Sequence, residues 1–183
     1  MSMPASCAER VQEMDRASLI YLRTHLHNRP IETAMIGIGA AADHGAIWMA
    51  IGAALAVRDR QRGLRWIAAG GLAPVGILLN YPFKRLIHRR RPDLGLERLG
   101  ATPSEHSFPS SHAVASFAAA TGMAALEPSF APHLYGLAGL VSVGRPYLGM
   151  HYPSDAVVGA SYGVIIGLAG RRILRDVRLG GPA

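Results

Sequence analysis

Five apolar stretches follow a polar opening along this chain, and their spacing sets the first expectation. Residues 1–28 mix charge with isolated apolar side chains. Val11, Met14, Leu19, Ile20 and Leu22 share part of one helical face, with Arg10, Arg16 and Arg23 off it. That pattern predicts a helix lying in a membrane interface; on its own it also fits a short soluble helix. No long apolar run and no small-residue cleavage pattern opens the chain, so no signal peptide is expected. The apolar stretches run from Thr33 to Val57, Trp66 to Phe83, Ala113 to Leu126, His133 to Leu148 and Ala156 to Gly170. The second, third and fifth contain no Asp, Glu, Lys or Arg. Those after the first fall short of the ~20 residues of a comfortable span. Helices of a soluble bundle could carry similar runs. Their number, their scarcity of charge and the Arg clusters at their ends favour a membrane. Arg58, Arg60, Arg62 and Arg65 lie between the first and second, and Arg171, Arg172, Arg175 and Arg178 follow the fifth.

The first stretch is broken by Asp43-His44-Gly45. A charge at mid-bilayer costs a few kcal/mol or more. A short helix ending near Ala42 is therefore expected, then a span from about Gly45 to Val57 extended by polar ends, with Asp43-His44 as a cap or loop pair. The fifth stretch carries Gly159, Gly163 and Gly167 at four-residue spacing, a face on which helix backbones approach closely. Asp155 begins that face and should point into the bundle.

Composition adds to this picture. Half of the 183 residues are apolar and 17% are charged, which excludes a disordered chain. Cys7 is the single cysteine, so no intramolecular disulfide forms. The net charge is +7, and all basic residues but Lys84 are Arg. Aromatics are few and no RNA-binding motif appears, so no nucleic-acid partner is expected. The positive charge points to phosphate ligands, membrane lipids, or both.

The polar residues at the stretch ends form three clusters: Lys84 to Pro92, Phe108 to His112, and Gly144 to Asp155. Tracing the crossings brings them together. The second stretch ends at the first cluster and the third begins at the second. The chain then crosses away and returns along the fourth to the third cluster. Arg offers forked donors matched to phosphate oxygens and Lys a point charge. Pro109 and Pro153 suit the first turn of a helix, whose free N–H groups would face an anion. Ser110 and Ser111 add hydroxyl and amide donors. His151 and Asp155, four apart, fit a carboxylate-oriented imidazole acting as nucleophile or base. His112 is placed to give a proton to a leaving oxygen.

Lys84-x6-Arg91-Pro92, Pro109-Ser110-Ser111-His112 and Arg145-x5-His151-x3-Asp155 together resemble the tripartite signature of the type 2 phosphatidic acid phosphatase superfamily, in its compact bacterial form. Order, spacing and placement at helix ends match. The resemblance implies an all-α, integral membrane helical bundle of about five spans with an N-terminal interfacial helix. Residues 1–30 would be the interfacial segment, 31–176 the membrane-embedded phosphatase domain and 177–183 a polar tail. It implies a metal-independent, cofactor-free phosphatase acting on a lipid phosphate. The candidates are phosphatidic acid, phosphatidylglycerophosphate, a polyprenyl diphosphate and a polyprenyl-phosphoryl sugar phosphate. By family pattern His151 is the nucleophile forming a phosphohistidine, oriented by Asp155, and His112 is the general acid. Lys84, Arg91, Ser110, Ser111 and Arg145 bind phosphate. Two positions depart from the pattern: Ser111 replaces a Gly, and Gly144 replaces a Ser. A soluble acid phosphatase or a vanadate-dependent haloperoxidase on the same scaffold is the alternative. A non-enzymatic anion-binding membrane protein is a third reading, disfavoured because holding an anion needs no oriented imidazole. The resemblance implies a bacterial plasma-membrane location with the site on the outer face. Arg residues outside the motifs are balanced between the two sides, and the basic N-terminus leans the other way. Oligomeric state is left open. Arg85, Arg89 and Arg90 read as solvated or headgroup-facing charges.

Overall fold

The computed structural model describes residues 6–26, 28–93 and 105–176. Residues 177–183, expected as a polar tail, lie outside them. Seven α-helices and no strand are found among the described residues. Helix α1 (Cys7–His25) opens with a capping box in which Ser6 and Glu9 satisfy each other's backbone N–H groups. Helix α2 (Arg29–Ala42) is capped by Asn28 and has Pro30 in its first turn. Then come α3 (Ala46–Arg58), α4 (Gly63–Leu86), α5 (Ser111–Leu126), α6 (Ala131–Tyr147) and α7 (Pro153–Asp176).

Helix α2 ends at Ala42 and α3 begins at Ala46, close to the expected break. Taken together across the bend, Arg29–Arg58 is 30 residues long and apolar enough, by length and composition, to span a bilayer. Helix α3 coincides with the expected span from about Gly45 to Val57; at about 1.5 Å per residue it is shorter than a ~30 Å hydrocarbon core and needs its polar ends, or α2, to complete a crossing. His44 and Gly45 take positive φ at the bend (56° and 81°). A Cβ on Gly45 would lie 2.8 Å from that of Ala73, so the bend also lets the chain lie against α4. At the end of α2 the Asp43 N–H bonds to the Ala40 carbonyl, a tightened last turn.

Arg60–Leu86 and Pro153–Leu174 are also long and apolar enough to cross. Helices α5 and α6 are shorter, with 16 and 17 residues. Helix α5 is the centre of the bundle, enclosed by α3, α4, α6 and α7. Its Ala, Ser and Gly side chains permit this. Against it pack Gly159, Gly163 and Gly167 of α7, where added Cβ atoms would come within 2.7, 2.5 and 2.4 Å of α5 or its cap. The small-residue face thus works as expected. Large apolar side chains such as Leu78, Val143, Val157, Ile165 and Ile173 point outward, the surface of a protein solvated by lipid. With the bent α2–α3 segment, α4, α5, α6 and α7 give five passes through the bundle.

Candidate active site

Helices α4, α5, α6 and α7 bring the three polar clusters to one end of the bundle. Asn80 of α4 is fully buried and donates to Ser111 Oγ (2.9 Å) and to the Pro109 carbonyl (3.1 Å). That bond fixes the start of α5 beside α4. One turn further, Lys84 rises past it and donates to the His106 carbonyl (3.1 Å). Ser110 stands at the N-cap position of α5 with its hydroxyl unused for capping, and its N–H donates to the Asp155 carbonyl (3.1 Å). Pro109 precedes this cap and so lies outside the first turn where it was expected, whereas Pro153 opens α7.

Arg91 is buried and reaches across to the α6–α7 turn. Its Nη1 donates to the Met150 carbonyl (2.7 Å) and lies 3.1 Å from His151 Nε2. The guanidinium has no lone pair, so Nε2 is the acceptor and the ring proton sits on Nδ1. Nδ1 lies 3.6 Å from Asp155 Oδ2, longer than a hydrogen bond. His151 is 2% exposed. Burial, with the charges of Arg91 and Lys84 adding to it, outweighs Asp155 and lowers the His151 pKa to about 3. The imidazole is therefore neutral at physiological pH, with its Nε2 lone pair among cations.

Asp155 is fully buried and well partnered. Tyr152 N–H donates to Oδ2 (2.9 Å) and Arg89 Nη1 to Oδ1 (2.6 Å). Arg89 is thus no headgroup-facing charge, as the sequence suggested: it is three-quarters covered and bound to two carboxylates. Its position in a run of four basic or imidazole side chains, 88–91, carried no signal for this.

His112 opens α5 on the other side of the site. Its Nε2 lies 3.3 Å from the Gly39 carbonyl and 3.0 Å from Asp43 Oδ1. Both are acceptors, so this histidine carries its proton on Nε2. Gly39 also touches Arg145: a Cβ there would lie 2.8 Å from Arg145 Nη1. Asp43 is therefore more than the cap or loop residue expected. Its sequence signal was the cost of a carboxylate within an apolar stretch. Ser110 Oγ and Arg145 Nε are buried without a protein partner, donors available to an anion. Contacts through Asn80, Gly39 and the 144–155 turn thus link seven of the eight residues singled out from the sequence, and Lys84 joins them one turn beyond Asn80 on α4, bound to the His106 carbonyl. Among the described residues no three His, Cys, Asp or Glu side chains gather as metal ligands.

The two departures from the family pattern are accommodated. Ser111 accepts from Asn80. Gly144 faces Met35 of α2, whose Sδ would lie 3.1 Å from an added Cβ.

Cations, hydroxyls and two differently protonated histidines lie together at the helix ends of a membrane bundle, an arrangement able to hold a phosphoryl group. The PAP2 superfamily profile matches residues 64–178, and the chain belongs to that superfamily and is a phosphatase. It is 32% identical over 163 residues to the decaprenylphosphoryl-5-phosphoribose phosphatase of Mycobacterium tuberculosis, covering 87% of this chain and 90% of that one. It is 33% identical to the enzyme of the same name from Mycolicibacterium smegmatis, over 78% of this chain and 79% of the other. Its fold matches the crystal structure of a transmembrane PAP2-type phosphatidylglycerolphosphate phosphatase from Bacillus subtilis. The TM-score is 0.70 at 24% identity, covering 92% of this chain and 88% of that one.

Proposed function

We propose that this enzyme removes the terminal phosphate from a polyprenyl-phosphoryl sugar phosphate of the decaprenylphosphoryl-5-phosphoribose type, through a phosphohistidine. In the first step the His151 Nε2 lone pair attacks phosphorus. The N–P bond forms as the P–O bond to the sugar breaks; His112, entering as the imidazolium with its Nε2–H held by Asp43, gives its Nδ1 proton to the departing oxygen and is left neutral. In the second, water attacks phosphorus and the N–P bond breaks. His112 accepts the water's proton, and inorganic phosphate leaves. Asp155 steadies the Nδ1–H of His151 as charge develops on the ring. Lys84, Arg91, Arg145, Ser110 and the Ser111 amide bind the phosphoryl oxygens. Asp43 orients His112.

The observation that carries the reaction is the neutral His151 whose Nε2 lone pair faces the Arg91 guanidinium. Arg91 must turn from the ring to the phosphate when substrate enters, freeing the nucleophile. The substrate class is supported by the mycobacterial relatives, whose similarity runs over most of both chains. Purified enzyme in detergent, given a panel of lipid phosphates, should favour the polyprenyl-phosphoryl sugar phosphate. A preference for phosphatidylglycerophosphate or phosphatidic acid would overturn that assignment. Phosphate release should persist in EDTA, since the steps above use only side chains and water.

We place the site on the outer face of a bacterial plasma membrane. Cys7 is exposed on α1, which packs at the site end against α6 and α7. As the single cysteine it reports sidedness: a membrane-impermeant maleimide should label it on intact spheroplasts. Labelling only after lysis would put the site inside.

A further inference from the structure

Helix α1 is bound to the site through a single buried carboxylate. Asp15 lies midway along α1 and is 4% exposed. Its Oδ1 accepts from the Ser154 N–H (2.9 Å) and its Oδ2 from Arg89 Nη2 (2.7 Å) and the Ser154 hydroxyl. Through Nη1 the same Arg89 donates to Asp155 Oδ1 (2.6 Å) and to Ser154 Oγ (2.7 Å), and its guanidinium stacks over the Tyr152 ring at 4.1 Å. Burial opposes the charge on Arg89, but the two carboxylates more than offset it and raise its pKa.

A carboxylate buried on an interfacial helix is costly unless something holds it there. Surface attachment alone would be served by the apolar residues α1 exposes, such as Met14 and Tyr21. Asp15 is spent on Arg89 and Ser154 instead. Arg89 is shared between two carboxylates, so each receives part of its charge. With Asp15 neutral, the guanidinium would pair with Asp155 alone and draw it from the Nδ1–H of His151. We propose that Asp15 is a positioning residue, acting through Arg89 on Asp155 to set the orientation and basicity of His151. The inference rests on the reading of His151 as nucleophile and Asp155 as its orienter.

A double-mutant cycle tests it. Full-length Asp15→Asn, Asp155→Asn and the double variant are purified in detergent, with kcat and KM measured on a lipid phosphate and vanadate used as a competing anion. Asp15→Asn should lower kcat by about 10–100-fold, by analogy with the loss when the outer partner of a metal-bound histidine is removed. KM and the vanadate inhibition constant should move less than about twofold, because the phosphate ligands are untouched. In the Asp155→Asn background the same change should cost nothing further, since its effect passes through Asp155. A kcat within about twofold of native, or an equal loss in both backgrounds, overturns the proposal while leaving the nucleophile assignment standing. Full turnover by Asp155→Asn would instead refute the His151–Asp155 reading itself. If Asp15→Asn does not fold, Ser154→Ala, which removes the hydroxyl shared by Asp15 and Arg89, is carried through the same cycle. Its kcat loss must likewise vanish beside Asp155→Asn, and persistence of that loss refutes the proposal.

Discussion

Two histidine–carboxylate pairs face each other across the site, and they are built differently. His151 and Asp155 are both sealed in the protein, the carboxylate held by Arg89 and the Tyr152 N–H. His112 has Asp43 at 3.0 Å, but that carboxylate is 56% exposed. The protonated nitrogens also differ: Nδ1 in His151, Nε2 in His112. A nucleophile must keep its lone pair and never protonate early, and burial enforces that. An acid that later acts as a base must exchange a proton in each half-reaction, and a partner open to solvent suits it. The sealed pair should therefore tolerate no replacement, and the open pair should tolerate some.

The largest effect is expected at the sealed pair. His151→Ala should lose about 10⁴-fold or more in kcat, with no acid-labile phosphoryl-protein adduct after quenching with ³²P-labelled substrate. His112→Ala should lose about 10²–10⁴-fold on a lipid phosphate. That loss should shrink on an aryl phosphate whose leaving group needs no proton; equal losses on both would remove His112 from the acid role. Asp43→Asn, on the exposed partner, should cost about tenfold or less, with the same dependence on leaving group. A larger loss than Asp155→Asn gives would invert the comparison between the pairs.

The smallest effect is on stability. The folded-state pKa of His151 lies below its ordinary value of 6.5, at about 3. Between these values the unfolded chain binds the proton and the folded one does not. The contribution is therefore present in full above pH 6.5 and lost as pH falls toward 3. His151→Gln should flatten the acid side of the melting-temperature profile over that window. An unchanged slope would mean the ring is not held neutral.

Much of the site was legible in the sequence because its residues occupy helix ends at fixed spacings. Lys84 follows the apolar run of α4, His112 opens α5, and Asp155 heads the glycine face of α7. Up-and-down crossings then force those ends together. Arg89 was not legible, since the helix stops at Leu86 and periodicity gives no direction beyond it. Asp43 and Asp15 were not legible as site neighbours because their partners lie far away in sequence, at His112, Ser154 and Arg89. The fold was read well where apolar runs were continuous. The bend between α2 and α3 falls where Asp43-His44-Gly45 interrupt the first run.

That bend has a consequence for the chemistry. In an unbroken helix the Gly39 carbonyl would be claimed by the N–H of Asp43. Here that N–H turns to Ala40, and Gly39 is left to accept from His112. Straightness of this crossing and tethering of the proton donor thus compete for one oxygen atom. Any substitution near His44 or Gly45 that restored the regular ladder would weaken one of the two contacts on His112 Nε2 and leave Asp43 as its main hold, without touching a side chain that meets the substrate.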